Sequence, residues 1–248
     1  MIQDFMDLYE KFKKIKSMGW VESMRRGTTG IGYTFERLIG KEEEQFPIPD
    51  YGCIEIKTKF RNSKYPIGLF CATPDGDYLF PMKRMYEKFG WPQSKYKDVT
   101  GKVFYAEMNA ACYTHAGMNY QFKLHVDRIN RLIRVYAYSK KTGVIDPEVS
   151  WSFDFLRDKI ERKLKYLALV RADAHNEVEK QFFYYYNITF YILRDFETFI
   201  SLIENGTIRV IFNVGCYSSG PKKGMMDNRG ATFNINQADL EKLFFKIG

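Results

Sequence analysis

Pro49-Asp50-Tyr51-Gly52-Cys53-Ile54-Glu55-Ile56-Lys57 combines a turn, an alternating strand and three charged side chains. Successive side chains of a strand point to opposite faces, so Glu55 and Lys57 share one face and Ile54, Ile56 and Thr58 the other. The apolar face packs into a core, the acid and the amine face a cleft, and Asp50 enters from the turn before the strand. Two carboxylates beside a strand end suit a hard divalent cation, which prefers oxygen ligands. A lysine one pleat away steadies developing charge or an attacking water. This is the arrangement expected for metal-assisted phosphodiester hydrolysis. Taken alone, Glu-x-Lys reads more readily as the solvent face of an ordinary strand, so the surrounding sequence carries the case.

Upstream, Thr28–Gly40 predicts a short helix with hydroxyl caps at its start and a glycine stop. Ile31, Phe35 and Leu38 form its core face. Glu36 is offset from that face, with Gly32 and Gly40 four residues to either side. A glycine inside a helix costs about 1 kcal/mol relative to alanine. Two readings stay open: close approach of another backbone with Glu36 aimed at the cleft, or a helix entry and a C-cap around a solvated Glu36.

The order Gly30-Ile31-Gly32-x-x-Phe35-Glu36, Pro49-Asp50, Ile54-Glu55-Ile56-Lys57-Thr58 resembles the MvaI/BcnI-type restriction endonucleases, in the MutH-like branch of the PD-(D/E)xK nucleases. The similarity runs along most of the chain. It takes in Gly19-Trp20-Val21-Glu22, Arg25-Arg26-Gly27, Tyr120-Gln121-Phe122-Lys123, Trp151-Ser152-Phe153-Asp154, Lys163-Leu164-Lys165-Tyr166, Glu204-Asn205-Gly206 and Tyr217-x-Ser219-Gly220-x-Lys222-Lys223-Gly224.

The resemblance implies an α/β (α+β) restriction-endonuclease-like fold, a mixed central sheet flanked by helices, with two lobes around a DNA-binding cleft. It implies one unit over residues 1–248, with a catalytic lobe including about 20–110. DNA-recognition elements are expected mainly in the C-terminal half, including loop 215–230. Asp50 and Glu55 are implied as Mg2+ ligands, the backbone carbonyl of Ile56 as a further ligand, and Lys57 as the catalytic lysine. Glu36 matches the helical acid that supports the metal site. The implied enzyme is a type II, sequence-specific double-strand DNA endonuclease that uses a metal-activated water. It acts as a monomer, is cytoplasmic, and has a cognate DNA methyltransferase as its genetic partner.

A chain of 248 residues can bury a substantial core as one domain or two lobes. Its net charge of +8 suits a polyanion partner. An anionic membrane surface would also suit that charge, but no long basic amphipathic anchor is evident and no run approaches the roughly 18 apolar residues of a membrane helix. Cys53, Cys71, Cys112 and Cys216 lack paired metal-ligand spacing and read as reduced thiols. His115, His125 and His175 fall in no zinc pattern, and the glycines near Gly30 lack the Gly-Lys-Ser/Thr ending of a nucleotide-binding loop. Residues 4–17 predict an amphipathic helix with Phe5, Leu8, Tyr9 and Phe12 on its apolar side.

Further elements follow from periodicity. Gln121–Asp127 and Arg131–Tyr138 predict a hairpin. Ser152 caps a helix through about Lys165, Tyr166–Ala172 is a buried strand, Arg194–Glu204 is a helix, and Thr207–Val214 alternates as a strand. The glycines of Gly215–Gly230 permit close backbone approach to a phosphate, and Lys222 and Lys223 supply charge. Asp227, Asn228 and Arg229 have the chemistry to read cytosine, adenine and guanine edges. Here the chain departs from the family pattern, which carries two histidines around an aspartate at Asp227-Asn228-Arg229 and a basic residue at Asn234. If these are base readers, the recognition sequence differs too. Lys59 and Arg61, in Lys59–Lys64, and the loop Trp91–Lys97 serve equally as phosphate clamps or as solvated loops. The alternatives to a restriction enzyme are a MutH-like strand-nicking repair endonuclease and a basic DNA-binding protein with an idle nuclease site.

Overall fold

A computed structural model describes residues 2–41, 48–75, 80–95 and 97–247. In chain order the elements are α1 (Ile2–Ser17), β1 (Val21–Glu22), α2 (Gly30–Leu38), β2 (Ile54–Phe60), β3 (Ile67–Cys71), α3 (Phe80–Phe89), β4 (Trp91–Pro92), β5 (Lys102–Met108), β6 (Thr114–Ala116), β7 (Tyr120–Asp127) and β8 (Leu132–Ser139). They continue with β9 (Gly143–Ile145), β10 (Ser150–Ser152), α4 (Phe153–Leu164), β11 (Tyr166–Glu177), β12 (Lys180–Leu193), α5 (Phe196–Glu204), β13 (Ile208–Cys216), β14 (Met226–Ile235), α6 (Leu240–Leu243) and β15 (Phe244–Ile247). The expected mixture of helices and strands is observed.

The chain divides into two compact units. The first comprises Met1–Tyr65, Lys159–Arg194 and Glu241–Gly248. Its sheet runs β1-β12-β11-β2, with β15 also on β12. β2 and β11 are parallel, in register from Tyr166 opposite Ile54 to Ala172 opposite Phe60. α1 and α2 cover one face: Leu8, Phe12, Ile15, Ile31, Phe35 and Ile39 pack with Ile54, Ile56, Ala168 and Val170. Leu167 and Leu169, beside Glu55 and Lys57 on the other face, are also buried. A parallel pair buried on both faces lacks the in/out alternation of a half-solvated strand. Ile54, Glu55 and Ile56 are therefore all buried, and Glu55 does not lie on the open face its sequence position suggested.

The second unit comprises Pro66–Asp158 and Asp195–Leu240. One sheet is β10-β8-β7-β6 with β9 on β8, and the other is β3-β14-β13-β5-β4. Phe104, Phe122, Phe212, Phe233, Phe199 and Trp151 build its aromatic core. The Trp151 indole N–H donates to the Ala72 carbonyl at 2.9 Å, which satisfies its one polar group. Residues 20–110 fall in both units, which part at Tyr65/Pro66, because β2 pairs with β11 whereas β3 pairs with β14.

The β7–β8 hairpin forms as expected. The Ser152 hydroxyl accepts the Phe155 N–H at the start of α4, and Asp195 caps α5 through the Thr198 N–H at 2.7 Å. Other elements differ from the expected ones. Tyr9 is exposed, and the inward row of α1 is Leu8, Phe12 and Ile15. Thr29 makes no side-chain cap to α2. β11 continues past Ala172 to Glu177, because β12 pairs with its whole length. Tyr96 of the proposed phosphate clamp lies outside the described residues.

Candidate active site

Two local structures bring the acids together. The first is the end of α2. The Gly40 N–H donates to the Arg37 carbonyl at 3.0 Å and the Lys41 N–H to the Glu36 carbonyl at 2.9 Å, while Gly40 has φ +85°. This is a Schellman stop, in which the glycine takes the left-handed conformation. Gly40 is therefore the C′ residue that follows the Ile39 C-cap, and the Lys41 backbone is fixed by it. Gly32 has a different reason. A Cβ there would lie 3.3 Å from the Thr58 hydroxyl and 3.8 Å from Glu36 Oε1, so the glycine lets α2 lie close against β2.

The second is the turn before β2. Tyr51 and Ile54 exchange backbone hydrogen bonds of 2.9 and 2.8 Å around Gly52, whose φ is +53°. A Cβ on Gly52 would meet the Asp4 carboxylate at 2.9 Å. The turn folds Asp50 back over the strand, where its Oδ2 accepts the Ile56 N–H at 2.9 Å. Its Oδ1 accepts from Lys41 Nζ.

Glu55 follows on the strand, with its side chain only 1% exposed. Its Oε1 accepts from Lys57 Nζ at 2.6 Å, and Lys163 Nζ, from the last turn of α4, lies 3.5 Å from the same oxygen. Its Oε2 is buried and has no hydrogen-bond partner. Burial pushes the Glu55 carboxyl above its ordinary value; Lys57 pulls it back, Asp50 pushes it further up, and the net shift is upward. Burial raises the Glu36 carboxyl too, with the Asp50 charge adding to the rise. Burial depresses the Lys41 amine, but the hydrogen bond and charge of Asp50, with Glu36 and Glu55, outweigh it and leave the amine raised. Glu36, Asp50 and Glu55 thus sit in one electrostatic cluster with Lys41, Lys57 and Lys163. The sequence pointed to four of the six. Lys41 and Lys163 were missed as site residues, because a lysine beside a helix end carries no signal of its own.

Among the described residues, no group of three or more His, Cys, Asp and Glu side chains is arranged to hold a metal ion. Magnesium does not require one. It is commonly held by one or two carboxylates, with water and substrate phosphate completing its shell. A buried carboxylate oxygen without a partner is costly. Glu55 Oε2 is such an atom, beside Asp50, and the donor set fits a hard cation.

The residues expected to touch DNA fall into three groups. In the first unit, Lys59 Nζ donates to the Tyr65 carbonyl at 3.2 Å, and burial lowers its pKa. Arg61 grips Asp173 through two hydrogen bonds of 2.8 and 2.6 Å and lies over the Tyr186 ring. In the second unit, Lys222 sits over the Tyr217 ring, and Lys223 pairs with Asp98 at 2.6 Å. The third group corrects the expected loop 215–230: β13 reaches Cys216 and β14 begins at Met226, so Asp227, Asn228 and Arg229 are strand residues. Arg229 Nε donates to Asp227 Oδ2 at 2.7 Å, and its guanidinium lies over Gly215. Arg229 lines one surface recess with Tyr105 and Asn213. The Asn228 amide oxygen accepts the Gly230 N–H, and Asn234 is buried with its amide on the Thr232 carbonyl at 2.6 Å.

The sequence profile of the MvaI/BcnI restriction endonuclease family matches residues 9–244. The chain belongs to this family. As a member it is a type II site-specific deoxyribonuclease. Among solved structures, it is similar to a complex of restriction endonuclease MvaI with cognate DNA substrate, at 31% identity and a TM-score of 0.89, over 97% of this chain and 96% of that one. It is also similar to MvaI in the absence of DNA, at 30% identity and a TM-score of 0.62, over 100% and 98% of the two chains. No curated protein matches the sequence. None of the described helices is long and apolar enough to cross a membrane.

Proposed function

We propose that this family member is a Mg2+-dependent endonuclease that cuts both strands of double-stranded DNA at a specific sequence, acting as a monomer. The observation that carries the site is the unpartnered, buried Glu55 Oε2 beside Asp50. Asp50, Glu55 and the Ile56 carbonyl would hold the metal, and Glu36 would support Asp50 from α2. When bound, the metal supplies Lewis-acid polarisation and lowers the pKa of water.

The chain's own residues do the rest. The Asp50 carboxylate is oriented by the Ile56 N–H, and Lys57 Nζ is held on Glu55 Oε1. From there the ammonium orients the attacking water or stabilises charge developing on the phosphate. Water attacks phosphorus in line as the bond to the leaving oxygen breaks. Recognition rests on Asp227 and Arg229, with Asn213 and Tyr105 lining the same recess as Arg229; Lys222 and Lys223 contact phosphate. Activity on cellular DNA calls for a cognate methyltransferase in the same cytoplasm, since an unprotected genome would be cut.

The test is digestion of unmethylated supercoiled plasmid with and without Mg2+. Discrete linear fragments that need the metal are expected, and sequencing their ends gives the site. Nicked circles alone would replace this function with strand nicking of the MutH kind. No cleavage of diverse unmethylated DNA would leave a DNA-binding protein with an idle site.

A further inference from the structure

Lys41 has no role in the function described so far, yet it is the residue in most direct contact with Asp50. Its Nζ donates to Asp50 Oδ1, and the two side chains are 17% and 13% exposed. The other Asp50 oxygen accepts the Ile56 N–H, so both carboxylate oxygens are engaged. The amine is delivered by a fixed backbone: Lys41 is the residue after the Gly40 stop, and its N–H closes α2 on the Glu36 carbonyl. Lys57 Nζ donates to Glu55 Oε1 and Lys163 Nζ forms a looser ion pair with the same oxygen at 3.5 Å, which sets three ammonium groups against the carboxylates of Glu36, Asp50 and Glu55. A divalent ion entering such a cluster meets three nearby cations in a partly desolvated site, where like charges repel more strongly than in water.

We propose that Lys41 is a resident counter-cation of the metal site, which holds Asp50 until a divalent ion and DNA arrive together. Direct ligation through Oδ1 requires Lys41 to release that oxygen. Among the described residues Asp50 is the hydrogen-bond acceptor of this ammonium in the free protein, so metal loading costs that bond and metal loads weakly. The scissile phosphate offers anionic oxygens that compensate the released ammonium, so metal and DNA load cooperatively. No protonation change is needed; the ammonium only changes partner. Lys41 is thus a positioning residue that couples metal loading to substrate. This inference rests on the assignment of Asp50 and Glu55 as metal ligands.

The experiment measures Mn2+ binding to the DNA-free protein, with the free ion read by its EPR signal and Mg2+ added as competitor. Wild type, Lys41→Met, Lys41→Arg and Asp50→Ala are compared. Removing the charge in Lys41→Met should tighten Mn2+ binding by about tenfold or more, while Lys41→Arg stays near wild type. Adding a non-cleavable duplex should tighten binding to wild type more than to Lys41→Met. A circular-dichroism melt establishes that each variant is folded; Lys41→Gln, which keeps a polar tip, makes the same comparison if Lys41→Met is not. Unchanged or weaker Mn2+ binding in a folded, charge-free variant overturns the proposal while leaving the metal site intact, provided wild-type binding is lost in Asp50→Ala. If Asp50→Ala binds Mn2+ as wild type does, the metal-site assignment itself falls and Lys41 falls with it.

Discussion

Both units place an acid and a base two residues apart on a strand, and they treat the pair in opposite ways. On β2, Glu55 and Lys57 are 1% and 24% exposed, and their 2.6 Å contact lies among buried residues. On β14, Asp227 and Arg229 are 20% and 55% exposed, with a contact of 2.7 Å. The distances are nearly the same, but the surroundings are not. A buried pair is costly to break, because the remaining charge is left without solvent. An exposed pair is worth little, because water takes over either partner. The first suits chemistry, in which charges must be fixed before the substrate arrives. The second suits reading, in which Arg229 exchanges Asp227 for a base edge and can return.

The largest effect is expected at Asp50. Asp50→Ala is expected to abolish plasmid cleavage, a loss on the order of a thousandfold or more, while DNA binding is kept or strengthened. Gel-shift and digestion assays on the same preparation separate the two readouts. Cleavage at the wild-type rate would remove Asp50 from the site. The equivalent test on β14 is Arg229→Ala. It should leave metal-dependent turnover in place and relax discrimination at one base pair by about 1–3 kcal/mol. Competition among single-base variants of the recognised sequence measures this. A uniform loss across all sequences would make Arg229 a phosphate contact.

The two sites were not equally legible in the sequence. Asp50, Glu55 and Lys57 could be read because strand period and turn chemistry set their relation locally. The burial of Glu55 could not, because it follows from the parallel pairing of β2 with β11, contributed from more than a hundred positions away. Lys41 and Lys163 escaped for a related reason: a common residue acquires its role only when a helix end is packed beside the strand. On β14 the error ran the other way. Gly215, Gly220, Gly224 and Gly230 gave Gly215–Gly230 the composition of a loop, yet Gly215 and Gly230 lie in strands. The β13–β14 register shifts there, and Gly230 has φ +88°. Glycine within a strand commonly marks such a bulge.

Glu36 sharpens the claim that burial distinguishes the two regions. Burial first, and then the Asp50 charge, hold its carboxyl above the ordinary value. Its contribution to stability is therefore fully present below the ordinary carboxylate range and is lost as pH rises through the raised value. Once ionised, the group weakens the metal-free fold. Glu36→Gln should raise Tm at pH 7 by a few degrees, at about 2–4 °C per kcal/mol for a chain of this size, with the gain shrinking on acidification. Thermal melts in chelator across pH measure it. A lower Tm at pH 7 would mean that Glu36 holds its neighbours rather than waiting for a cation.

The smallest effect separates two adjacent lysines of the second unit. Lys223 is paired with Asp98, which lies below its ordinary pKa chiefly through the hydrogen bond from Lys223. Lys222 has a ring contact with Tyr217 and no ion pair among the described residues. A lysine that contacts phosphate releases counterions, and its loss lowers the slope of log affinity against log salt by about 1. Lys222→Ala should show that full change. Lys223→Ala should show less, because Asp98 competes with the phosphate for its ammonium in the wild type. Asp98→Asn should then steepen the slope in the presence of Lys223. Binding titrations over a salt series in calcium, without cleavage, resolve the three. Equal slopes for Lys222→Ala and Lys223→Ala would show that the exposed pair offers DNA no competition, which is the limit to which exposed pairs tend and buried ones do not.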